Sequence, residues 1–499
     1  MKANTTKAKK LLLTLFALLL PLMTNAEDFE VDGIYYNIIS STDRTVEVTY
    51  KGNYYSQYIN KYKGVINIPA TVNYNNTYRV TSIGNEAFRD CSSLTSITLP
   101  ESVTSIGNYA FSGCSSLTAI NIPEGVTSIG SEAFYRCSSL TSITIPESVT
   151  SIGKFAFCDC SSLTAINIPE SVTSIGLSVF SGCSSLNSIN IPESVTSIGN
   201  GAFRDCSGLT SINIPESVTS IGYYAFSDCS GLTSINIPES VASIGYCAFW
   251  GCSNLTSITL PESVTSIGGC AFWDCSSLAS ITIPEGVTSI GEGTFRNCFN
   301  LATTTLPENV TNIGDGAFYD CRSLTAINIP EGVTSIGNYA FRGCSSLTAI
   351  TIPEGVTNIG DYAFSSCTAL EKITIYATQP PTTDGYIFSD VTYENATLYV
   401  PKGSVSKYQE MTGWSGFYNI SEMEETAISN AQASRIRVQG HQGVLRITGA
   451  TEGDAISIYT TSGTLVANET ARAEHTEIMV PSGQVYIVKV ADTVVKIGM

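Results

Sequence analysis

The sequence predicts a mainly β protein: a solenoid of 23-residue coils with capping segments and a small C-terminal β-sandwich. One apolar pattern recurs every 23 residues over residues 80–378, and the segments on both sides of it alternate apolar and polar residues. Only 14 % of the 499 residues are charged and 43 % are hydrophobic, which is too apolar for a disordered chain.

The repeat has the pattern V-T-S-I-G-x-x-A-F-x-x-C-S-S-L-T-S-I-x-I-P-E-x, whose positions we number 1 to 23. Thirteen copies follow one another without an insertion, from Val80 to about Thr378. Phe occupies position 9 in every copy, from Phe88 to Phe364, and Cys occupies position 12, from Cys91 to Cys367. Such a constant frame indicates one structural unit stacked on itself.

Each coil contains two short extended pieces and one turn. The stretch L-T-S-I-x-I directs Leu and both Ile inward and stops at Pro, which cannot continue a central strand. V-T-S-I-G forms the second extended piece, and A-F-x-x-C is expected to form one helical or 3₁₀ turn that carries Phe inward. One coil alone has too small a core to fold, whereas stacked coils share hydrogen-bond ladders and apolar faces.

This pattern resembles the BspA-like (Treponema-type) leucine-rich repeat family, over about residues 80–378. The resemblance implies a leucine-rich-repeat solenoid in a surface or secreted protein of a host-associated bacterium. It also implies adhesion to extracellular-matrix, host-cell or bacterial surfaces. The copy that begins at Val287 departs most, because Thr294 replaces Ala, Phe299 replaces Ser and Thr304 replaces an inward Ile. We expect this coil to be the least stable one.

The flanks of the repeats are predicted to be an export signal and two caps. Residues 1–26 combine a basic start, an apolar run and a small residue, Ala26, where a signal peptidase cuts. Residues 27–79 are predicted to form an N-terminal β-cap, and residues 379–427 a C-terminal cap and linker. A solenoid needs such caps because its ends otherwise expose open sheet edges.

Residues 428–499 contain short alternating strands separated by Gly and polar turns, the pattern of a small β-sandwich. Their last strands resemble the C-terminal sorting domain of type IX secretion, which implies sorting or anchoring at the cell surface. Tyr486 and Lys496 fit that pattern, but Gln484 interrupts the usual Gly-x-Tyr. An adhesion module without a sorting role is the alternative.

Five aromatic residues in three successive copies are the candidate partner-binding residues. Positions 6, 7, 10 and 11 vary between copies, and recognition in a solenoid is expected where the frame varies. The five are Tyr223, Tyr224, Tyr246, Trp250 and Trp273. Exposed Tyr and Trp are enriched at binding hot spots. The alternative is that these rings only pack along the coil surface and cover the turn.

The sixteen Cys are interpreted mainly as a core column. Equivalent positions lie about 4.8 Å apart, which is wider than the Cβ spacing of a disulfide. Cys158, Cys247 and Cys270 lie outside this column. Cys247 and Cys270 are one period apart and are expected to be exposed, and an oxidised pair between them is a hypothesis.

A Glu follows the Pro in twelve copies, from Glu101 to Glu354. Like charges at this spacing repel, so we expect a solvated edge. The alternative is that this row of Glu side chains binds Ca²⁺ or a basic partner. A single row supplies few of the six to eight oxygens that Ca²⁺ takes.

Composition excludes several functions. Forty-three acids against 25 bases argue against nucleic-acid binding, which needs clustered cations. The repeats contain no His, so they lack a nucleophile–base pair and the usual zinc spacing. We therefore expect no enzyme, no catalytic or metal residues and no cofactor.

The predicted function is non-catalytic binding of a protein or glycan on a host or bacterial surface. The protein is expected to be secreted or attached to the outer membrane or cell surface, without a membrane span once the signal is removed. The alternative is a structural spacer of the cell envelope that has no specific ligand.

Overall fold

The structure is a computed structural model that describes residues 27–52, 62–383, 385–423, 437–441, 444–460, 464–472, 475–481, 485–490 and 493–498. The predicted signal at residues 1–26 lies outside the described residues. The chain divides into two compact units, Met1–Ser421 and Glu422–Met499. No helix among the described residues has the length and apolar character needed to cross a membrane.

The N-terminal segment of the first unit extends both faces of the solenoid. Its strands are β1 Phe29–Val31, β2 Ile34–Ser40, β3 Thr45–Thr49, β4 Gly64–Asn67, β5 Thr71–Tyr74 and β6 Asn76–Ile83. β1, β2 and β3 are antiparallel, β3 runs parallel to β6, and β5 forms a hairpin with β6. β4 pairs with the L-T-S-I-x-I strand of the first coil, Leu94–Thr98. These strands pair with the first strands of both ladders, so those strands are not sheet edges.

The coils carry two parallel β-ladders. The L-T-S-I-x-I strands form the first face of the solenoid, and the V-T-S-I-G strands form the second face. The register between neighbouring coils is one 23-residue period, as in the pair Ser128 and Ser151. The first-face strands are β7 Leu94–Thr98, β9 Ala119–Asn121, β11 Ser142–Thr144, β13 Ala165–Asn167, β14 Ser188–Asn190, β16 Ser234–Asn236, β18 Ser257–Thr259, β20 Ser280–Thr282, β22 Thr303–Thr305, β25 Ala349–Ile352 and β27 Lys372–Ile375. The second-face strands after β6 are β8 Ser105–Ile106, β10 Ser128–Ile129, β12 Ser151–Ile152, β15 Ser220–Ile221, β17 Ser243–Ile244, β19 Ser266–Ile267, β21 Ser289–Ile290, β23 Asn312–Ile313, β24 Ser335–Ile336 and β26 Asn358–Ile359.

The A-F-x-x-C segment forms turns instead of the expected helical or 3₁₀ turn. Positions 7 and 11 have positive φ in every coil, as at Tyr224 (55°) and Asp228 (58°), and a helix cannot continue through such residues. This backbone directs the N–H groups of positions 7, 9 and 11 to carbonyls of the next coil, as Phe226 N does to Ala248 O at 2.8 Å. The turns therefore form a third hydrogen-bond ladder along the solenoid.

The core consists of columns of identical residues. The position-9 rings stack face to face from Phe88 to Phe364, with centroids 5.1 Å apart for Phe88 and Phe111, and Phe388 of the following segment stacks on Phe364. All thirteen position-9 rings and the position-12 thiols are buried. Stacking is required because a single coil offers its apolar residues no second face to contact.

The first unit ends in a cap of mixed structure: α1 Asp390–Asn395, β28 Thr397–Val400, α2 Val405–Glu410 and β29 Asn419–Glu422. β28 continues the first-face ladder by pairing with β27. Trp414 is fully buried, and its indole N–H donates to Pro381 O at 3.0 Å. The Tyr408 hydroxyl donates to Ala377 O at 2.7 Å, so this segment is fixed to the last coil.

The second unit has two antiparallel sheets. The first contains β30 Arg437–His441, β31 Val444–Thr448 and β34 His475–Met479; the second contains β32 Ala455–Thr460, β33 Leu465–Thr470, β35 Val485–Val490 and β36 Thr493–Gly498. Both sheets contribute to one apolar core that includes Leu445, Ile458 and Tyr486. This arrangement is the predicted small β-sandwich.

Candidate partner-binding surface

The five predicted partner-binding residues lie on the turn side of coils 7 to 9. Tyr223 and Tyr246 occupy position 6 and are 58 % and 41 % exposed. Tyr224 at position 7, and Trp250 and Trp273 at position 10, are half-buried. Two of the five side chains are therefore exposed, and three are partly covered.

The structure brings four of the five rings into contact. The Tyr224 and Tyr246 rings meet edge to face at 5.7 Å, and Tyr224 lies 6.3 Å from Trp250. Trp250 and Trp273 are 5.7 Å apart, and the Trp250 indole N–H donates to Asp274 Oδ2 at 3.3 Å. The two tryptophan rings therefore contact each other and a neighbouring coil along the solenoid surface.

The ring contacts continue beyond the predicted residues. Arg296 lies between two rings, 4.7 Å from the centroid of Trp273 and 4.3 Å from that of Tyr319. The whole series, which we call the aromatic stripe, consists of Arg204, Tyr224, Tyr246, Trp250, Trp273, Arg296, Tyr319, Tyr339, Arg342, Tyr362 and Tyr386. Sequence reasoning missed its C-terminal half, although Arg or Tyr at positions 7 and 10 of successive copies is the signal for it.

Cys247 and Cys270 are buried thiols under the tyrosines, so the expectation that they are exposed is wrong. Each is 2 % exposed, and all sixteen cysteines are free in the structure. The Cys270 thiol lies 3.6 Å from the Tyr246 hydroxyl, which covers it. Burial raises the pKa of the Cys247 thiol, while the pKa of Tyr246 is raised mainly by its hydrogen bond with Cys270. The Cys247 thiol is thereby kept in the neutral form.

Residues 81–210, 196–325 and 311–431 match the family described as BspA type leucine-rich repeat region. The chain belongs to this family. No curated protein gives a significant match.

Solved structures of leucine-rich repeat proteins are similar to this BspA-type chain. A leucine-rich repeat protein from Bacteroides ovatus is 32 % identical, with a TM-score of 0.61, and the match covers 80 % of this chain and 100 % of that one. A leucine-rich cell surface protein from Faecalibacterium prausnitzii is 29 % identical (TM-score 0.45; 80 % and 95 % covered). The pneumococcal vaccine antigen PcpA is 20 % identical (TM-score 0.44; 79 % and 98 % covered). The first of these supports the leucine-rich-repeat solenoid.

The BspA-type repeats also carry the predicted column of glutamates, and all twelve side chains, from Glu101 to Glu354, are exposed. The Glu147 carboxylate accepts a hydrogen bond from the backbone N–H of Glu170, one coil further on, at 3.3 Å. The described residues contain no group of three or more His, Cys, Asp or Glu side chains placed to hold a metal ion. The repeat family to which the chain belongs consists of scaffolds that are generally non-catalytic.

Proposed function

We propose that this BspA-type protein is exported to the bacterial surface and binds a protein or glycan partner without catalysis, in the manner of an adhesin. The observation that carries the proposal is the pair of accessible tyrosines, Tyr223 and Tyr246, on the rigid turn face of coils 7 and 8. The backbone carbonyls of both tyrosines accept hydrogen bonds of the third ladder, and the Tyr224 ring contacts Tyr246. Ordering these residues on binding therefore costs little entropy. Trp250 and Trp273 support this tyrosine surface, since Trp250 contacts both Tyr224 and Trp273.

Binding of the labelled full chain to immobilised matrix proteins and to intact epithelial cells tests this proposal. The variant Tyr223→Ala with Tyr246→Ala is expected to lose at least tenfold in affinity, as hot-spot tyrosines do. The control variant combines Leu177→Ala and Tyr376→Ala, two side chains that are 41 % and 47 % exposed in other coils. It is expected to bind normally. Equal loss in both variants, or no saturable binding by the native chain, favours the spacer function.

Surface attachment through residues 428–499 is part of the same proposal. Two antiparallel sheets with one core support a separately folded module there. Surface labelling of intact cells that express the chain with or without residues 428–499 tests it. Retention of the shortened chain at the cell surface would argue against an anchoring or sorting role.

A further inference from the structure

A cleft of about 590 Å³ opens in the C-terminal cap of the first unit, at the end of the aromatic stripe, whose last ring, Tyr386, lines it. Its walls come from two segments, residues 385–394 and 412–418, which lie on either side of β28 and α2 in the sequence. Ligand pockets have volumes of about 300–1,000 Å³. The cleft is therefore large enough for a side chain and part of the backbone of a bound segment.

The floor of this cleft is rigid. Tyr393 is buried, its hydroxyl donates to Gly413 O at 2.8 Å, and its ring meets Phe417 edge to face at 5.0 Å. A Cβ at Gly416 would lie 3.0 Å from the Tyr393 ring, so glycine allows this loop to lie directly against it. The shape of the cleft is therefore formed before any ligand arrives.

The rim and wall carry two kinds of group that favour a cation. Tyr386 and Tyr418 are 65 % and 76 % exposed, among the most exposed large apolar side chains of the described chain. Asp390 and Glu394 lie one turn apart on α1, and both are exposed. Like charges at this spacing repel on a helix, and a bound cation removes that repulsion. The described lining contains no lysine or arginine to do so.

We propose that this cleft binds an arginine side chain of a basic segment on a partner protein. A planar guanidinium stacks on tyrosine rings and donates paired hydrogen bonds to carboxylates, so it matches both groups at once. A lysine ammonium, a point charge, uses only part of this arrangement. The formal charge of −18 also attracts basic segments from a distance. The site is independent of the Tyr223 and Tyr246 surface.

Fluorescence anisotropy of the full chain with a labelled heptapeptide that has a central Arg-Arg pair tests the proposal. The matched peptide carries citrulline at both places, which keeps the shape and removes the charge. The cleft variant is Asp390→Asn with Glu394→Gln. Its control, Glu331→Gln with Glu354→Gln, changes the net charge equally at two exposed glutamates of the repeats. Thermal unfolding confirms that each variant is folded.

We expect the arginine peptide to bind at least tenfold more tightly than the citrulline peptide. The cleft variant should lose at least tenfold in affinity and the control less than twofold, and Tyr386→Ser with Tyr418→Ser should lose at least threefold. Equal binding of the two peptides overturns the proposal, as does equal loss in the two charge variants. Displacement of the peptide by a neutral oligosaccharide such as xylohexaose also overturns it, since the cleft would then be a carbohydrate site.

Discussion

The thiol of Cys114 donates a hydrogen bond to the carbonyl oxygen of Phe88 in the preceding coil, with a sulfur–oxygen distance of 3.1 Å. The same carbonyl accepts the backbone N–H of Cys91 within its own coil, at 3.1 Å. Twelve thiols make this bond. The column of cysteines thus fills the core and also joins successive coils.

Replacing one thiol of this column should measure that link. Cys229→Ala removes a buried sulfur and its hydrogen bond to Phe203 O. That carbonyl still accepts a hydrogen bond from the backbone N–H of Cys206. Because no carbonyl is left without a donor, we expect a loss of only about 1–2 kcal/mol in the free energy of unfolding. Glu239→Gln, an exposed change in the same coil, should alter it by less than about 0.5 kcal/mol. Urea unfolding measures both, and equal effects would refute the structural role.

Stability should fall steeply at alkaline pH. Burial raises the pKa of the column thiols, to about 12 for Cys137 and Cys367, whereas an unfolded thiol ionises near about 8.5. The thiols are protonated in both states below that value, so they make no contribution to the pH dependence of stability there. Between about pH 8.5 and 12 only the unfolded state loses protons, and each thiol lowers the free energy of unfolding by about 1.4 kcal/mol per pH unit.

Urea midpoints measured from pH 7 to pH 10 check this dependence. A variant with both Cys229→Ala and Cys252→Ala should show a shallower fall, since two thiols whose pKa is raised by burial are absent. In the native state at pH 8 the buried thiols should not react with a thiol reagent, whereas all sixteen should react in urea. A midpoint independent of pH up to 10 would contradict the prediction.

The regular part of the fold follows from the sequence because an unbroken period imposes the same register on every coil. Phe and Cys at fixed positions then have to form columns. No residue pattern indicates the positive φ at position 7. Tyr224, Phe155 and Cys247 occur there, and residues of these types rarely adopt a positive φ. The C-terminal half of the aromatic stripe has a signal in the Arg and Tyr residues at positions 7 and 10. The cleft could not be predicted, because it depends on contacts between side chains of non-repeating segments.

Two glycines at position 5 should respond in opposite ways to substitution by alanine. A Cβ at Gly153 would lie 2.3 Å from the backbone nitrogen of Ser131, whereas one at Gly176 meets only Val179 Cγ2 at 3.8 Å. We expect Gly153→Ala to cost about 3 kcal/mol, because one backbone has to move. Gly176→Ala should instead stabilise the protein by about 0.4–1 kcal/mol by restricting the unfolded chain. Thermal and urea unfolding compare them, and equal effects of the two changes would exclude close coil stacking as the cause.

The coil that begins at Val287 should exchange its amide protons fastest among the inner coils. Thr304 stands opposite Ile281 in the ladder; it is half-buried, and its hydroxyl donates to Ile281 O at 3.1 Å. The sheet order on this face also ends at β22, the strand that contains Thr304. Thr304→Ile adds apolar area at a core position and should stabilise the coil by about 1 kcal/mol. Hydrogen exchange should then slow in this coil and its neighbours. The control Thr304→Val removes the hydroxyl without adding the extra methylene of Ile, so it separates the two effects. Slower exchange here than in the flanking coils of the native protein would refute the prediction, because an apolar residue missing from the column would then carry no local cost.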